Sequence, residues 1–195
     1  MNYRPHQTLV TVALIAALGG CSSANTGTSD QPPHAARNTA SDCAGASYRF
    51  TPITKSTVLA YLSAPQHVTA GAVPNDLMAL HVVRAQAESS AGTADARAAY
   101  AAFLKKLDRD DAAKLGVRVG VPTSQFISSA PETVVVYRAP DVFTAQFART
   151  CASGSGPTAF GTVSTWTNPR DGLVGCDIKG KMPAHTELAQ RLGCG

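Results

Sequence analysis

A ten-residue run, Leu9 to Leu18, apolar but for Thr11, stands behind an acid-free start carrying Arg4 and in front of Gly19, Gly20 and Cys21. This short block decides in which compartment the rest of the chain must fold. As a helix it would span about 15 Å, at 1.5 Å per residue. A bilayer core is about 30 Å thick, so the run is too short to cross one. It has no polar face, which argues against a surface helix of a globular domain. A basic start, a short apolar core and small residues before a cut make a secretory signal. The remainder is therefore expected to fold outside the cytoplasm, where disulfides persist.

The residues Leu18-Gly19-Gly20-Cys21 resemble the lipobox of bacterial lipoproteins, with Leu three positions before the cysteine and small residues between. The resemblance implies cleavage before Cys21 and a diacylglyceryl thioether on Cys21, which becomes the lipid-attachment site. It implies an anchored protein of the cell envelope, with the membrane as its first partner. Ser22, rather than Asp, resembles the sorting pattern for an outer membrane where the host has one. One acyl chain binds a bilayer only marginally and two hold it stably. No transmembrane segment is then needed, and no later apolar run approaches 18 residues. The resemblance covers the signal alone.

Three parts follow: a signal peptide over 1–20, a lipidated N-terminus with a disordered tether over 21–41, and a single domain over 42–195. The tether is Ser, Thr, Asn, Gly, Pro and Ala with almost no large apolar residue. Such a segment buries too little surface to fold. At 5–6 Å × √n its ~20 residues reach about 25 Å root-mean-square.

Cysteines constrain the domain next. With Cys21 acylated, Cys43, Cys151, Cys176 and Cys194 remain, an even number outside the cytoplasm. That suggests two disulfides, for which three connectivities exist. There is no C-x-x-C, so neither a redox dithiol nor a zinc knuckle is indicated. If a strand runs about four residues past Cys176 and a last helix runs back, the two distances nearly cancel. Cys176–Cys194 with Cys43–Cys151 is then the favoured pairing. Its rival, Cys151–Cys176 with Cys43–Cys194, would clasp the termini.

Hydrophobic periodicity gives a coarse map. Ser47 to Ile53 alternates as a strand. Thr54 to Ser63 and Asn75 to Glu88 carry apolar residues at helical spacing. Thr93 to Leu107 is the clearest helix, with Ala96, Ala99, Tyr100, Phe103 and Leu107 on one stripe. Val117, Val119 and Val121 alternate as a half-buried strand. Thr133 to Tyr137 reads as a short central strand, and Asp141 to Cys151 as a helix with Phe143 and Phe147 four apart. Ala159 to Trp166 and Leu173 to Lys179 flank Asn168-Pro169-Arg170-Asp171-Gly172, a turn signal that predicts a hairpin. Thr186 to Leu192 is a last helix. Together these predict an α+β domain, an antiparallel sheet with helices packed on one face and braced by two disulfides.

Chemistry is sparse. The net charge of +4 is small and its cations are scattered, so nucleic acid is not an expected partner. Gly175 to Lys181 has phosphate-loop spacing, but Met182 stands where Ser or Thr must hold magnesium. Ser155 lies between adjacent glycines rather than in a nucleophile elbow. His67, His81 and His185 show no metal-ligand spacing. Asp108 to Asp111 lacks the glycine and distal Glu of a calcium loop. No catalytic residue, metal or cofactor is expected. Trp166 beside the turn, with Asn168, Arg170 and Asp171, is the suggestive group: an exposed Trp there would recognise a glycan or an envelope protein. A Trp packed in the core is the simpler alternative. The leading expectation is a lipid-anchored binding or interaction module. The alternative is an envelope hydrolase whose Ser, Asp and His meet only in the fold.

Overall fold

The apolar run at Thr133 does not stop at Tyr137. In the computed structural model, which describes residues 43, 45–74, 76–152, 154 and 159–195, it continues for nineteen residues as one strand. In chain order the strands are β1 (Ser47–Phe50), β2 (Thr54–Thr57), β3 (Tyr61–Ser63), β4 (Gln66–Val68), β5 (Gly71–Val73), β6 (Leu77–Ala79) and β7 (Gln86–Ser89). Helix α1 (Thr93–Leu107) follows, then β8 (Phe126–Ser128), β9 (Glu132–Thr150), β10 (Ala159–Gly175) and helix α2 (Ala184–Cys194).

β9 is the axis. β10 runs antiparallel along it from Ala159↔Arg149 to Gly175↔Val134. On its other side β1, β2, β3 and β4 pair with it in succession, all antiparallel. Backbone bonds from Val58 to Pro140 and from Ala60 to Arg138 bridge the gap between β2 and β3. Residues 47–68 thus act as one interrupted strand laid beside β9. β7 extends the sheet from β10, β6 extends it from β3, and β5 and β8 form a separate two-stranded ribbon. The domain is mostly antiparallel sheet with two helices.

Two helices foreseen in the sequence are strands, and a third expected helix, over 75–88, is replaced by β6 and β7. At Asp141 to Cys151 the four-residue spacing of Phe143 and Phe147 misled, because four is also a multiple of two. Both rings lie on one face of β9 with Ala145 between them. At Thr54 to Ser63 the β-branched Thr54, Thr57 and Val58 satisfy the edge of β9 instead. The expected hairpin at Asn168 is also corrected. β10 passes straight through it, with a register shift between Thr167 and Arg170. Asn168 takes the left-handed conformation, φ 44°. Pro169 brings no N–H that the ladder would miss, so turn-forming residues are absorbed as a bulge. The hairpin is instead formed by β9 and β10 themselves. Of the expected strand at Val117 to Val121 only a bridge, Arg84↔Arg118, is present. Val119 is buried while Val117 and Val121 are exposed.

The helix predicted over Thr93 to Leu107 has those bounds, and Ala99 and Phe103 pack with Phe143, Ala145, Phe147 and Val163. Ala189 of α2 packs with Leu59, Leu62, Val135, Tyr137, Ala139 and Val174. Val68, Val73, Val134 and Val136 make a further cluster on the opposite side of β9.

Disulfides join Cys43 to Cys151 and Cys176 to Cys194, with Cα atoms 5.2 and 5.4 Å apart. They mark an oxidising, extracytoplasmic compartment. The route to the second differs from the one drawn from sequence. β10 ends at Gly175, so no strand continues past Cys176. Cys194 arrives because α2 lies along β9 and β10, where the Gln190 amide donates to the Gly175 and Ile178 carbonyls, each at 2.8 Å.

Gly161 is demanded by close approach to backbone. A Cβ on Gly161 would stand 1.9 Å from the Glu88 carbonyl oxygen and 2.6 Å from the Phe147 ring. Gly161→Val should therefore part β7 from β10 and cost about 3 kcal/mol, the upper end for overpacking. Gly120, with nothing near its would-be Cβ, is the control; Gly120→Ala should stay within about 0.5 kcal/mol. Urea melts of the two variants check this, and equal midpoints would refute the close approach.

Candidate functional site

Alternation gives the distal half of the β9–β10 hairpin two different faces. Phe143, Ala145 and Phe147 point into the core beneath α1. Thr144 and Gln146 therefore point the other way, and both are exposed. Across the ladder Thr54, Thr144, Ser164 and Gln86 line up on four neighbouring strands. The next row holds Gln146, Thr162 and Glu88. Thr51 closes its edge, with Gln146 N donating to its Oγ1 at 3.0 Å.

Apart from Glu88, which stands outside it, these rows floor an open trough of about 460 Å³, lined by Thr51, Pro52, Thr54, Thr144, Gln146 and Ser164 among others, with no charged residue in its lining. Its volume falls in the range of small-ligand sites. Hydroxyls and amides are its polar groups, and the Thr54 and Thr144 hydroxyls bond each other at 2.6 Å. A second hollow of about 230 Å³ shares Gln86 and Ser164 and adds His81, Val82 and Arg84. The face ends in aromatics: Phe160, 60% exposed, opposite Ala148, and Trp166 opposite Val142.

Of the recognition residues named from sequence, Trp166 alone borders this face. Its indole is half-buried against Val83, Val119 and Val142, and Nε1 donates to the Val117 carbonyl at 3.1 Å. Asn168 is exposed on the bulge. Arg170 and Asp171 sit on opposite faces of β10, each tied to β9. Arg170 donates to Asp141, which also accepts from Thr57 at 2.9 Å and from Lys55 at 3.0 Å. Arg138 grips Asp171 with two bonds, of 2.5 and 2.7 Å. The four residues are not brought together, because the predicted turn is a strand.

Of the histidines, His67 approaches the Thr133 hydroxyl at 3.5 Å, His81 is exposed, and His185 sets its ring edge-on to Tyr137. Ser155 lies outside the described residues, as do Cys21 and the tether. Among the described residues no group of three or more His, Cys, Asp or Glu is placed to hold a metal ion.

Two buried carboxylates carry the electrostatics. Asp95, in the first turn of α1, accepts from Arg149 at 2.9 Å, Tyr48 at 2.7 Å and Ser89 at 2.5 Å. Burial alone would raise its pKa; the Ser89 and Tyr48 hydroxyls and the Arg149 guanidinium overcome this and hold it below the ordinary range. Burial and the Asp95 carboxylate push the Tyr48 phenol up to about 12. Asp141 is likewise held low, with burial outweighed by Lys55, Thr57 and Arg170. Both clusters knit strands to their neighbours rather than present a reactive group.

Sequence reasoning missed the trough, although its signal was present. In Phe143-Thr144-Ala145-Gln146-Phe147 apolar and polar residues alternate with period two. No family model matches this chain, and no curated protein or solved structure does either.

Proposed function

We propose that the chain is a lipid-anchored, extracytoplasmic protein of the bacterial cell envelope, and that it works as a binding module through the open face of its sheet. The uncharged trough carries this reading: rows of Thr, Ser and Gln side chains, bounded by Phe160 and Trp166, suit a neutral polar ligand such as a glycan or an uncharged stretch of an envelope protein. We take both helices to lie on the other face. Ala189 packs against Val135, Tyr137 and Ala139, and Ala99 and Phe103 against Phe143, Ala145 and Phe147, all odd-numbered positions of β9. That arrangement leaves Thr144 and Gln146 bare. The anchor rests on the lipobox resemblance at Leu18-Gly19-Gly20-Cys21, and the disulfides agree with export.

Two measurements test this. Radiolabelled palmitate should enter the protein and be lost with Cys21→Ala; label persisting in that variant rejects the anchor. A photo-crosslinker replacing Thr144 should capture an envelope component, and Thr162→Arg should abolish the adduct. A crosslinker replacing Arg97, exposed on the outside of α1, should not capture it. Equal capture from both positions rejects the trough as the binding surface.

A further inference from the structure

A second groove lies on the other side of the sheet, between β1 and α1. It encloses about 640 Å³ and is lined by Tyr48, Arg49, Phe50, Ala102, Lys105 and Lys106. Its floor is aromatic. Phe50 rests on Phe103 and Phe147, with ring centroids 5.4 and 6.2 Å away, and Tyr48 on Phe147 at 5.7 Å. Its lining contains three cations and no acid. Arg49, Lys105 and Lys106 are exposed, and among the described residues none of them enters an ion pair.

We propose that this groove docks the domain onto an anionic phospholipid bilayer. Aromatic rings with a basic rim match the boundary between acyl chains and acidic headgroups, where amphipathic side chains settle. Charge complementarity favours a surface: Lys105 and Lys106 of α1 rim the groove, while Arg49 of β1, opposite Ala148 and alternating with Tyr48 and Phe50, adds its charge at the strand rather than converging with them on one point. The chain's path agrees. The groove's strand begins at Ser47, four residues after Cys43, and is the first strand of the domain, so in the chain it is the strand nearest to Cys21. Tyr48 and Phe50 pair across from Arg149 and Phe147, on the face of β9 opposite Thr144 and Gln146. Docking through the groove turns the trough away from the lipid, toward partners in the aqueous envelope.

The full chain carrying Cys21→Ala removes the acyl chains from the measurement, and its apolar N-terminus contributes equally to every variant. It should co-sediment with phosphatidylglycerol-containing vesicles at low salt and be released as salt rises. Each basic residue near an anionic surface is worth about fivefold in partitioning. Arg49→Gln/Lys105→Gln/Lys106→Gln should thus weaken binding by about a hundredfold. Lys105→Gln/Lys106→Gln, which leaves β1 untouched, should weaken it by about 25-fold. Partitioning unchanged in both variants overturns the proposal. So does equal binding to pure phosphatidylcholine, and so does full displacement by soluble glycerol phosphate, which would mean a site for a free anion. The crosslink from position 144 is scored separately, so the groove and the trough can fail independently.

Discussion

Replacing Asp95 by alanine should destabilise the domain by about 3–5 kcal/mol, the cost of breaking a buried ion pair by removing one of its members. Arg149, its partner at 2.9 Å, is 1% exposed and is anchored on the central strand. Asp95 itself is 5% exposed. For a domain of this size each kcal/mol moves Tm by about 2–4 °C, so a loss on the order of 10–15 °C is expected. The double variant Asp95→Ala/Arg149→Met should cost much less than the two singles summed, because both charges then leave together. Thermal melts of the three variants give the coupling directly. Additive losses would show that the two charges do not depend on each other.

Asp95 and Asp141 both contribute to acid sensitivity. Asp95 and Asp141 have folded-state values below the unfolded value of about 3.9, so each binds its proton more readily when unfolded. Their stabilising contribution is complete above that unfolded value and drains away as pH falls through the folded ones. In Asp95→Ala the loss of stability between neutral and acid pH should be shallower than in the wild type.

Opening Cys43–Cys151 with paired serines should cost about 4.8 kcal/mol on the chain-entropy account, since the bond closes a loop of about 109 residues. Opening Cys176–Cys194, which closes about 19 residues, should cost about 3.2 kcal/mol. The order of the two losses is the stronger expectation, because the first bond also pins the entry to β1 beside the end of β9. Urea melts of each serine pair against the wild type measure both. A larger loss from the short loop would mean that α2 depends on its disulfide more than the N-terminal strand depends on its own.

How much of this was legible depended on whether local pattern and tertiary demand agreed. At Thr93 to Leu107 they agreed: the apolar stripe found buried partners in Phe143, Ala145, Phe147 and Val163, and the helix has the predicted bounds. At Phe143 and Phe147 the spacing suited either period, and only the neighbouring strands β2 and β10 decide for the sheet. At Asn168 to Gly172 the residues do have turn chemistry, and it is spent within the strand as a bulge. The trough was invisible for a related reason. Its Thr, Ser and Gln side chains come from four strands separated by up to about 110 residues, and none of them is distinctive alone.

The position of β9 has a kinetic consequence. Residues 47–68 are made first, yet their hydrogen-bond partners at 132–150 follow more than sixty residues later. Until β9 arrives, the first strand has no ladder to join. The hairpin of β9 and β10, adjacent in sequence, can close early and present an edge; β1 to β4 then dock onto it from the far end of the chain. Pairings of such range make folding slow, on the millisecond-to-second scale of all-β domains. A chain ordered in this way cannot complete its sheet until its last third has been made.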